Sequence, residues 1–304
     1  MLWQRLLFGT LLIATLAGLL YADSRLAEWM GRTPATFAFN GIIVTAVVAA
    51  LVFIGGLELA RLFRGAGHQP LSVWSAGISS LVAIIPFLHH SGIATAIGLQ
   101  AFSAAELTVG VIVATLFAVF ALVALRRRTE RAISDMAVSL WPPIYLGLLA
   151  QFVVTIRLEA APHGVAVVLY FIATVKICDI GAYFTGLTIG RHKLISWLSP
   201  KKTWEGLFGG IATSVLLATA VAYYLREAGV TGETVTMLPP PGKAAIFGLV
   251  MAVIGQAGDL LESLIKRDAQ SKDSANAIPA FGGVLDILDS ILLTAPVAWW
   301  ILVD

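Results

Sequence analysis

Repeated apolar stretches of membrane-spanning length constrain this chain more than any other feature. A stretch of about 18–25 apolar residues is as long as an α-helix needs to be to cross a bilayer. A helix also satisfies its backbone hydrogen bonds internally, as a lipid environment requires. The sequence therefore predicts an all-α fold, a polytopic integral membrane helix bundle with about nine transmembrane helices. The predicted spans are 4–22, 41–63, 72–102, 105–126, 133–156, 164–187, 206–225, 243–265 and 282–303.

Composition supports a membrane protein and excludes other classes. Of the 304 residues, 58% are hydrophobic and only 12% are charged, against about 25% charged in a soluble domain. The net charge is +2, and no basic tail or stripe with interleaved aromatics is present, so we predict no nucleic-acid partner. The single cysteine, Cys178, lies in an apolar run. It has no partner for an intrachain disulfide, and we expect it to fill space in the core.

Two of the predicted spans allow a second interpretation. The first, with Arg5 before an apolar core, could be a signal peptide, but the core is long and the cleavage pattern near Ala22 is weak. We therefore favour a retained helix. The third is too long for one simple span and is interrupted by His89, His90 and Gly92. It could be one helix followed by a re-entrant piece.

The lysines and arginines predict how the chain is oriented. With a cytoplasmic N-terminus, most of the 20 basic residues fall in loops on the cytoplasmic side, as the positive-inside rule requires. The short loops suggest a bacterial plasma (inner) membrane. We predict N-terminal helices for packing or oligomerisation over 1–160, which leaves a homodimer open. Residues 161–304 would form a catalytic region with cytoplasmic loops 188–205 and 266–281.

Paired carboxylates near the ends of two apolar segments predict a cation site. Asp286 and Asp289 are three residues apart and share a helix face, and Asp259 and Glu262 have the same spacing. Carboxylates in membrane segments are costly and by default mark function. Mg²⁺ binds through one or two carboxylates, with water and substrate phosphates completing its shell. The alternative is ion pairing between helices, including a helix-end pair of Glu262 with Lys266.

A basic loop beside these carboxylates predicts phosphate binding. Gly282 and Gly283 directly precede the last apolar segment, where glycine lets the backbone approach a ligand closely and a helix N-terminus favours anions. Lys266, Arg267 and Lys272 come shortly before them. The alternative is a tight loop flanked by ordinary cytoplasmic charges.

A second polar segment has a similar character. It begins with Asp179 inside an apolar run and reaches a basic stretch that contains Lys201 and Lys202. That stretch could cap the next helix and hold an anion. Glu205 follows near the predicted helix N-terminus, where the helix dipole favours a carboxylate.

Together these segments resemble the phosphatidate cytidylyltransferases, or CDP-diacylglycerol synthases. That family's signature is S-x-x-K-R-x4-K-D-x-small-x2-aliphatic-P-x-H-G-G-x-x-D-R-x-D. The matching residues are Ser263, Lys266, Arg267, Lys272, Asp273, Ala275, Ile278, Pro279, Gly282, Gly283, Asp286 and Asp289. The upstream pattern, an Asp with A-Y and then S-P-K-K-T-W-E-G, matches over 179–206. The chain departs at two positions, with Phe281 where the family usually has His and Ile287 where it usually has Arg.

The resemblance implies a reaction and roles for these residues. The reaction converts CTP and phosphatidate into CDP-diacylglycerol and pyrophosphate at the cytoplasmic membrane surface. Asp259, Asp286 and Asp289 would carry Mg²⁺, with room for a second cation such as K⁺. The basic residues that would hold the triphosphate or lipid phosphate are Lys201, Lys202, Lys266, Arg267 and Lys272.

Two other functions remain as alternatives. A degenerate, non-catalytic member of the family is suggested by Phe281 and Ile287. A transporter is less favoured, because its charged residues would more often lie near the bilayer midplane. Here the charged residues lie near helix ends.

Overall fold

The computed structural model describes residues 2–29, 39–126, 129–161, 163–227, 238–271, 274–275 and 282–303. The helices, numbered in chain order, are α1 (Leu2–Trp29), α2 (Ile42–Gly65), α3 (Ser72–His90), α4 (Ile93–Ala96), α5 (Ala104–Leu125), α6 (Ala132–Pro142), α7 (Leu148–Glu159), α8 (Gly164–Ile189), α9 (Trp204–Glu227), α10 (Pro241–Asp268) and α11 (Leu285–Leu302). A π-helical turn, Pro143–Gly147, joins α6 to α7.

Membrane-spanning helices dominate the described part of the chain, and the all-α polytopic prediction is confirmed. Within that part, eight helical segments are long and apolar enough to cross a bilayer, with α6 to α7 counted as one segment, Ala132–Glu159. The predicted span 4–22 lies in α1, a helix in addition to these eight segments. In the ambiguous third span, α3 ends at His90, and Gly92 (φ 77°) leads into the short helix α4.

Proline explains the π-helical turn in the span Ala132–Glu159. Pro142 and Pro143 are adjacent at the junction of α6 with the turn. Proline has no N–H to donate and clashes with the preceding turn, so the helix widens locally, as π-bulges do. The span continues through the distortion into α7.

The chain forms two compact units. The first comprises Met1–Leu158 with Asp268–Ile287, and the second comprises Glu159–Arg267 with Leu288–Asp304. The predicted assignment of packing to 1–160 and of catalysis to 161–304 stays a prediction.

A buried ion pair stabilises the first unit. Arg157 Nε donates to Asp23 Oδ2 at 2.6 Å, and both side chains are almost completely buried. Arg157 Nη2 also donates to Asn40 Oδ1 at 2.7 Å. The other oxygen, Asp23 Oδ1, accepts from the backbone N–H groups of Ile43 and Val44 at 3.0 and 3.3 Å. Asp23 therefore joins α1, the start of α2 and the end of α7.

Small residues let the helices of the second unit pack closely. A side chain at Gly181 would collide with Thr213, so α8 and α9 approach closely there. A side chain at Gly258 would collide with the backbone carbonyl of Asp289, so α10 and α11 lie in close contact. Such small-residue contacts are the usual basis of helix association in membranes. Cys178 is buried in this unit and forms no disulfide, as predicted for a core residue.

The predicted loop 188–205 contains a short β-hairpin. Strand β1 (Lys193–Ile195) pairs antiparallel with β2 (Ser199–Thr203). At its end, the Thr203 hydroxyl accepts from the N–H of Gly206 at 3.1 Å and caps α9. The hairpin thus leads directly into a membrane-spanning helix.

Removing the Asp23 carboxylate tests the buried ion pair. We expect Asp23→Ala to destabilise the protein by about 3–5 kcal/mol, because it leaves the Arg157 charge buried without its counter-ion. The measurement is thermal unfolding in detergent, followed by circular dichroism. Glu106→Ala, which removes an exposed helix-capping carboxylate, is the control and should cost only about 1 kcal/mol. Equal effects of the two substitutions would contradict this account of Asp23.

Candidate cation and phosphate site

Three carboxylates converge in the second unit. One oxygen from each of Asp259, Glu262 and Asp289 lies within 4.8 Å of the other two. Glu262 is fully buried and Asp289 is 6% exposed, whereas Asp259 is half-buried. We call these three residues the carboxylate cluster.

Local structure explains why the carboxylate cluster forms. Asp259 and Glu262 lie three residues apart on α10, so they occupy one face of that helix. Gly258, next to Asp259, makes the close contact with the backbone of Asp289 on α11. A larger residue at this position would separate the two helices and their carboxylates.

Two lysines each pair with one member of the carboxylate cluster. Lys202, on β2, places Nζ 2.5 Å from Asp259 Oδ2 and donates to Gln256 Oε1 at 2.9 Å. Lys266 Nζ donates to Glu262 Oε2 at 3.0 Å. This is the helix-end pair weighed as an alternative from the sequence. This pairing is compatible with cation binding by Glu262, because it uses one of the two oxygens of that carboxylate.

A third lysine, Lys176 on α8, joins Asp179 to the cluster. Its Nζ lies 3.6 Å from both Asp179 Oδ2 and Asp289 Oδ1, and it donates to Ser290 Oγ at 2.7 Å. Gln256 Nε2 donates to Asp179 Oδ1 at 3.3 Å. Asp179 is therefore connected to Asp259 through Gln256 and Lys202.

The donor set of the carboxylate cluster fits a hard divalent cation. Octahedral Mg²⁺ binds oxygen at 2.0–2.1 Å, so opposite ligand oxygens lie about 4.2 Å apart. Neighbouring ligand oxygens of such an ion lie about 2.9 Å apart, so the three cluster oxygens, which lie within 4.8 Å of one another, would draw together around it. The ion would be held by Asp259, Glu262 and Asp289. The Asp259 side chain is partly exposed, so a phosphate could reach the ion there.

The remaining predicted residues of the second unit lie outside the carboxylate cluster. Arg267 Nε donates to the carbonyl of Leu198 at 3.3 Å, while Lys201 is exposed on β2 and Ser263 is half-buried on α10. Glu205 accepts from the N–H groups of Arg191 and His192. Glu205 therefore fixes the backbone before the hairpin, and its predicted place near a helix N-terminus is correct. Lys272, Asp273 and Phe281 lie outside the described residues.

In the first unit, Asp286 caps the start of α11. Its Oδ2 accepts from the N–H of Gly283 at 2.6 Å and from Ser274 Oγ at 2.7 Å. Gly282 has a φ of +94°, a conformation that favours glycine. Gly283 thus directs its N–H to a carboxylate of the chain, and phosphate binding by Gly282 and Gly283 stays a prediction. The same holds for cation binding by Asp286.

A further carboxylate, Glu58 on α2, stabilises this helix start and was not predicted from the sequence. It is 1% exposed and accepts from the N–H groups of Val284 and Leu285 at 3.0 and 2.9 Å. Ser274 Oγ also lies 3.3 Å from Glu58 Oε2. A carboxylate at these groups satisfies donors that the helix itself leaves unpaired and is favoured by the helix dipole.

Sequence reasoning also missed Gln256 and the contacts of Lys176. Both Glu58 and Lys176 could have been identified, because each is a charged residue inside an apolar span, where burial of a charge is expensive. Gln256 is uncharged and had no comparable signal.

This chain is thus a polytopic membrane protein whose second unit brings together three carboxylates and three lysines. The chain belongs to the Cytidylyltransferase family, whose sequence model matches residues 3–303. The family resemblance found in the sequence is confirmed.

Phosphatidate cytidylyltransferases are among the relatives of this chain. The protein of that name from Bacillus subtilis (strain 168) is 36% identical over 160 residues, 52% of this chain and 55% of the relative. The one from Synechocystis sp. is 39% identical over 147 residues, 48% of this chain and 46% of the relative. These two alignments span about half of each relative. The one from Chlamydia pneumoniae is 28% identical over 303 residues, 98% of this chain and 91% of the relative.

Replacing Glu58 tests its role at the start of α11. We expect Glu58→Ala to expose the N–H groups of Val284 and Leu285, since their acceptor is removed at a cost of about 1–3 kcal/mol. Hydrogen–deuterium exchange at these two amides should become about 5–150-fold faster. Glu106→Ala should leave the exchange there unchanged. Unaltered protection in Glu58→Ala would show that another group holds this helix start.

Proposed function

We propose that this chain is a phosphatidate cytidylyltransferase, which transfers CMP from CTP to phosphatidate and releases pyrophosphate. Family membership and the names of its relatives support this activity. The membrane-spanning helices suit a lipid substrate whose acyl chains remain in the bilayer. The observation that carries the proposal is the convergence of Asp259, Glu262 and Asp289 beside lysines.

The chemistry requires two polyanions to be brought together. An oxygen of the phosphatidate monoester attacks the α-phosphorus of CTP, a new P–O bond forms, and the bond to the β-phosphate oxygen breaks. The attacking phosphate has a second pKa of about 6 and is already anionic at pH 7. No strong general base is needed, and none is assigned among the described residues.

The residues of the chain supply positioning and electrostatic stabilisation, on which phosphoryl-type transfer mainly depends. Lys202 is half-buried beside Asp259 and would pair with a phosphate that approaches the exposed side of that carboxylate. Lys201, next to it, is exposed and would contact the same polyanion. Lys266, Arg267 and Lys272 extend the positive charge along the chain.

A divalent cation, proposed here as Mg²⁺, would neutralise charge on the leaving pyrophosphate when bound. The carboxylate cluster would hold it. The family resemblance also implies a cation-binding role for Asp286 and a second cation such as K⁺. Asp259 and Asp289 are kept oriented by Lys202 and Lys176. The negative charges of Asp259 and Asp289 would repel free phosphate in the absence of a cation.

We infer the location of the protein from its helices and its relatives. The chain carries membrane-spanning helices, and its relatives are bacterial. We place it in the bacterial plasma membrane with the site on the cytoplasmic side, where CTP is available. The excess of lysine and arginine in the predicted cytoplasmic loops supports this orientation.

CTP-dependent formation of CDP-diacylglycerol tests the activity. Purified protein in mixed micelles with Mg²⁺ should convert phosphatidate, whereas Asp259→Asn and Asp289→Asn should each lose at least about 100-fold in turnover, or about 2.7 kcal/mol of transition-state stabilisation. Asp286→Asn should lose turnover to a similar extent. Each substitution replaces one carboxylate oxygen with an NH₂ group, which removes the negative charge and preserves the shape of the side chain.

Glu159→Gln is the matched control, because Glu159 in the second unit bonds to Trp299 and lies outside the cluster. It should keep wild-type turnover. Normal turnover in both Asp259→Asn and Asp289→Asn would contradict the site. A folded wild-type sample that binds CTP without forming product would instead identify a non-catalytic member of the family.

Removal of divalent cations provides an independent check. An excess of EDTA should reduce turnover to background, because the carboxylate cluster would then lack its cation. Addition of excess Mg²⁺ should restore it, as monitored by release of pyrophosphate. Full activity in EDTA would exclude a divalent cation from the reaction.

A further inference from the structure

Lys176 lies between two carboxylates of the site. Its Nζ is 3.6 Å from carboxylates on two helices, Asp179 on α8 and Asp289 on α11. It also donates to Ser290 Oγ at 2.7 Å. The contact with Ser290 is a hydrogen bond, whereas the two carboxylates interact with the ammonium group as ion pairs.

The charges around Lys176 do not balance pairwise. Lys202 is paired with Asp259 and Lys266 with Glu262, whereas Lys176 serves both Asp179 and Asp289. In these described ion pairs of the second unit, three lysines therefore neutralise four carboxylates. Loss of Lys176 would leave two partly buried carboxylates without this neutralising charge.

The cost of Lys176 argues for a function beyond packing. A lysine in a membrane-spanning helix is expensive, and α8 is otherwise an apolar helix up to Asp179. The side chain is 30% exposed, so its ammonium group is neither fully buried nor free in water. A cation so placed strongly affects the binding of a second cation nearby.

We propose that Lys176 is a positioning residue of the carboxylate cluster. It holds Asp179 and Asp289 in place between α8 and α11, and its charge limits how tightly the cluster binds a divalent cation. The proposal rests on the proposed function for its effect on turnover, while its effect on cation binding does not. Because Lys176 limits the affinity of the cluster, the cation can dissociate when product leaves and bind again with the next substrate.

The test compares Lys176→Met, Lys176→Gln and Lys176→Arg with the wild type. Lys176→Met and Lys176→Gln remove the charge, and Lys176→Gln keeps a donor for Ser290, so it serves if Lys176→Met does not fold. Lys243→Met is the matched control, because Lys243 is exposed and lies on the same helix as Asp259, about 24 Å away at 1.5 Å per residue. Size-exclusion chromatography establishes that each variant is folded.

The first readout is Mg²⁺ binding, measured by isothermal titration calorimetry without substrates. We expect both neutral variants to bind Mg²⁺ at least about fivefold more tightly, because a like charge has been removed from the cluster. Lys176→Arg and Lys243→Met should stay within about twofold of the wild type. Unchanged or weaker Mg²⁺ binding in the neutral variants would overturn the proposal, as would tighter binding in Lys176→Arg.

The second readout is steady-state formation of CDP-diacylglycerol. The neutral variants should lose about tenfold in kcat with KM for CTP changed less than about threefold, because Lys176 contacts carboxylates rather than substrate. Lys176→Arg should restore most of the kcat. A rise in KM with unchanged kcat would overturn the positioning role. If the wild type itself makes no product, the proposed function fails, and calorimetry still decides whether Lys176 limits cation binding.

Discussion

The close contact between α10 and α11 at Gly258 determines the rest of the site. It brings Asp289 beside Asp259 and Glu262, and three carboxylates in an apolar bundle cannot remain uncompensated. Lys202, Lys266 and Lys176 come from β2, α10 and α8 to neutralise them. The β-hairpin, the position of α8 and the capped start of α9 can therefore be understood as the framework that places these lysines.

The same physical rule explains the buried charges of the first unit. Asp23 and Arg157 neutralise each other, and the spare oxygen of Asp23 accepts from backbone N–H groups at the start of α2. Glu58 has no basic partner among its described contacts, and it accepts from the N–H groups at the start of α11. A helix N-terminus thus takes the place of a counter-ion for Glu58. In both cases a carboxylate connects helices that are distant in the sequence.

Hydrophobic length predicted the helices well, because a bilayer requires apolar spans of nearly fixed length. The π-helical turn at Pro143 and the short helix after Gly92 were not specified by length, since they depend on local backbone geometry. Residue spacing paired Asp259 with Glu262 correctly on one helix face. It could not place Lys176 beside Asp289, because such contacts depend on how α8 packs against α11. Nor could it show that Gly283 donates to Asp286.

Spectroscopic detection of a bound metal ion tests whether the carboxylate cluster holds a cation. Electron paramagnetic resonance of purified protein with Mn²⁺, a substitute for Mg²⁺, should show a bound ion that is absent in Asp289→Asn and retained in Glu159→Gln. Competition with Mg²⁺ should release the Mn²⁺. A bound-ion signal of equal intensity in Asp289→Asn, or no bound ion in the folded wild-type protein, would contradict the assignment of the carboxylate cluster as a cation site.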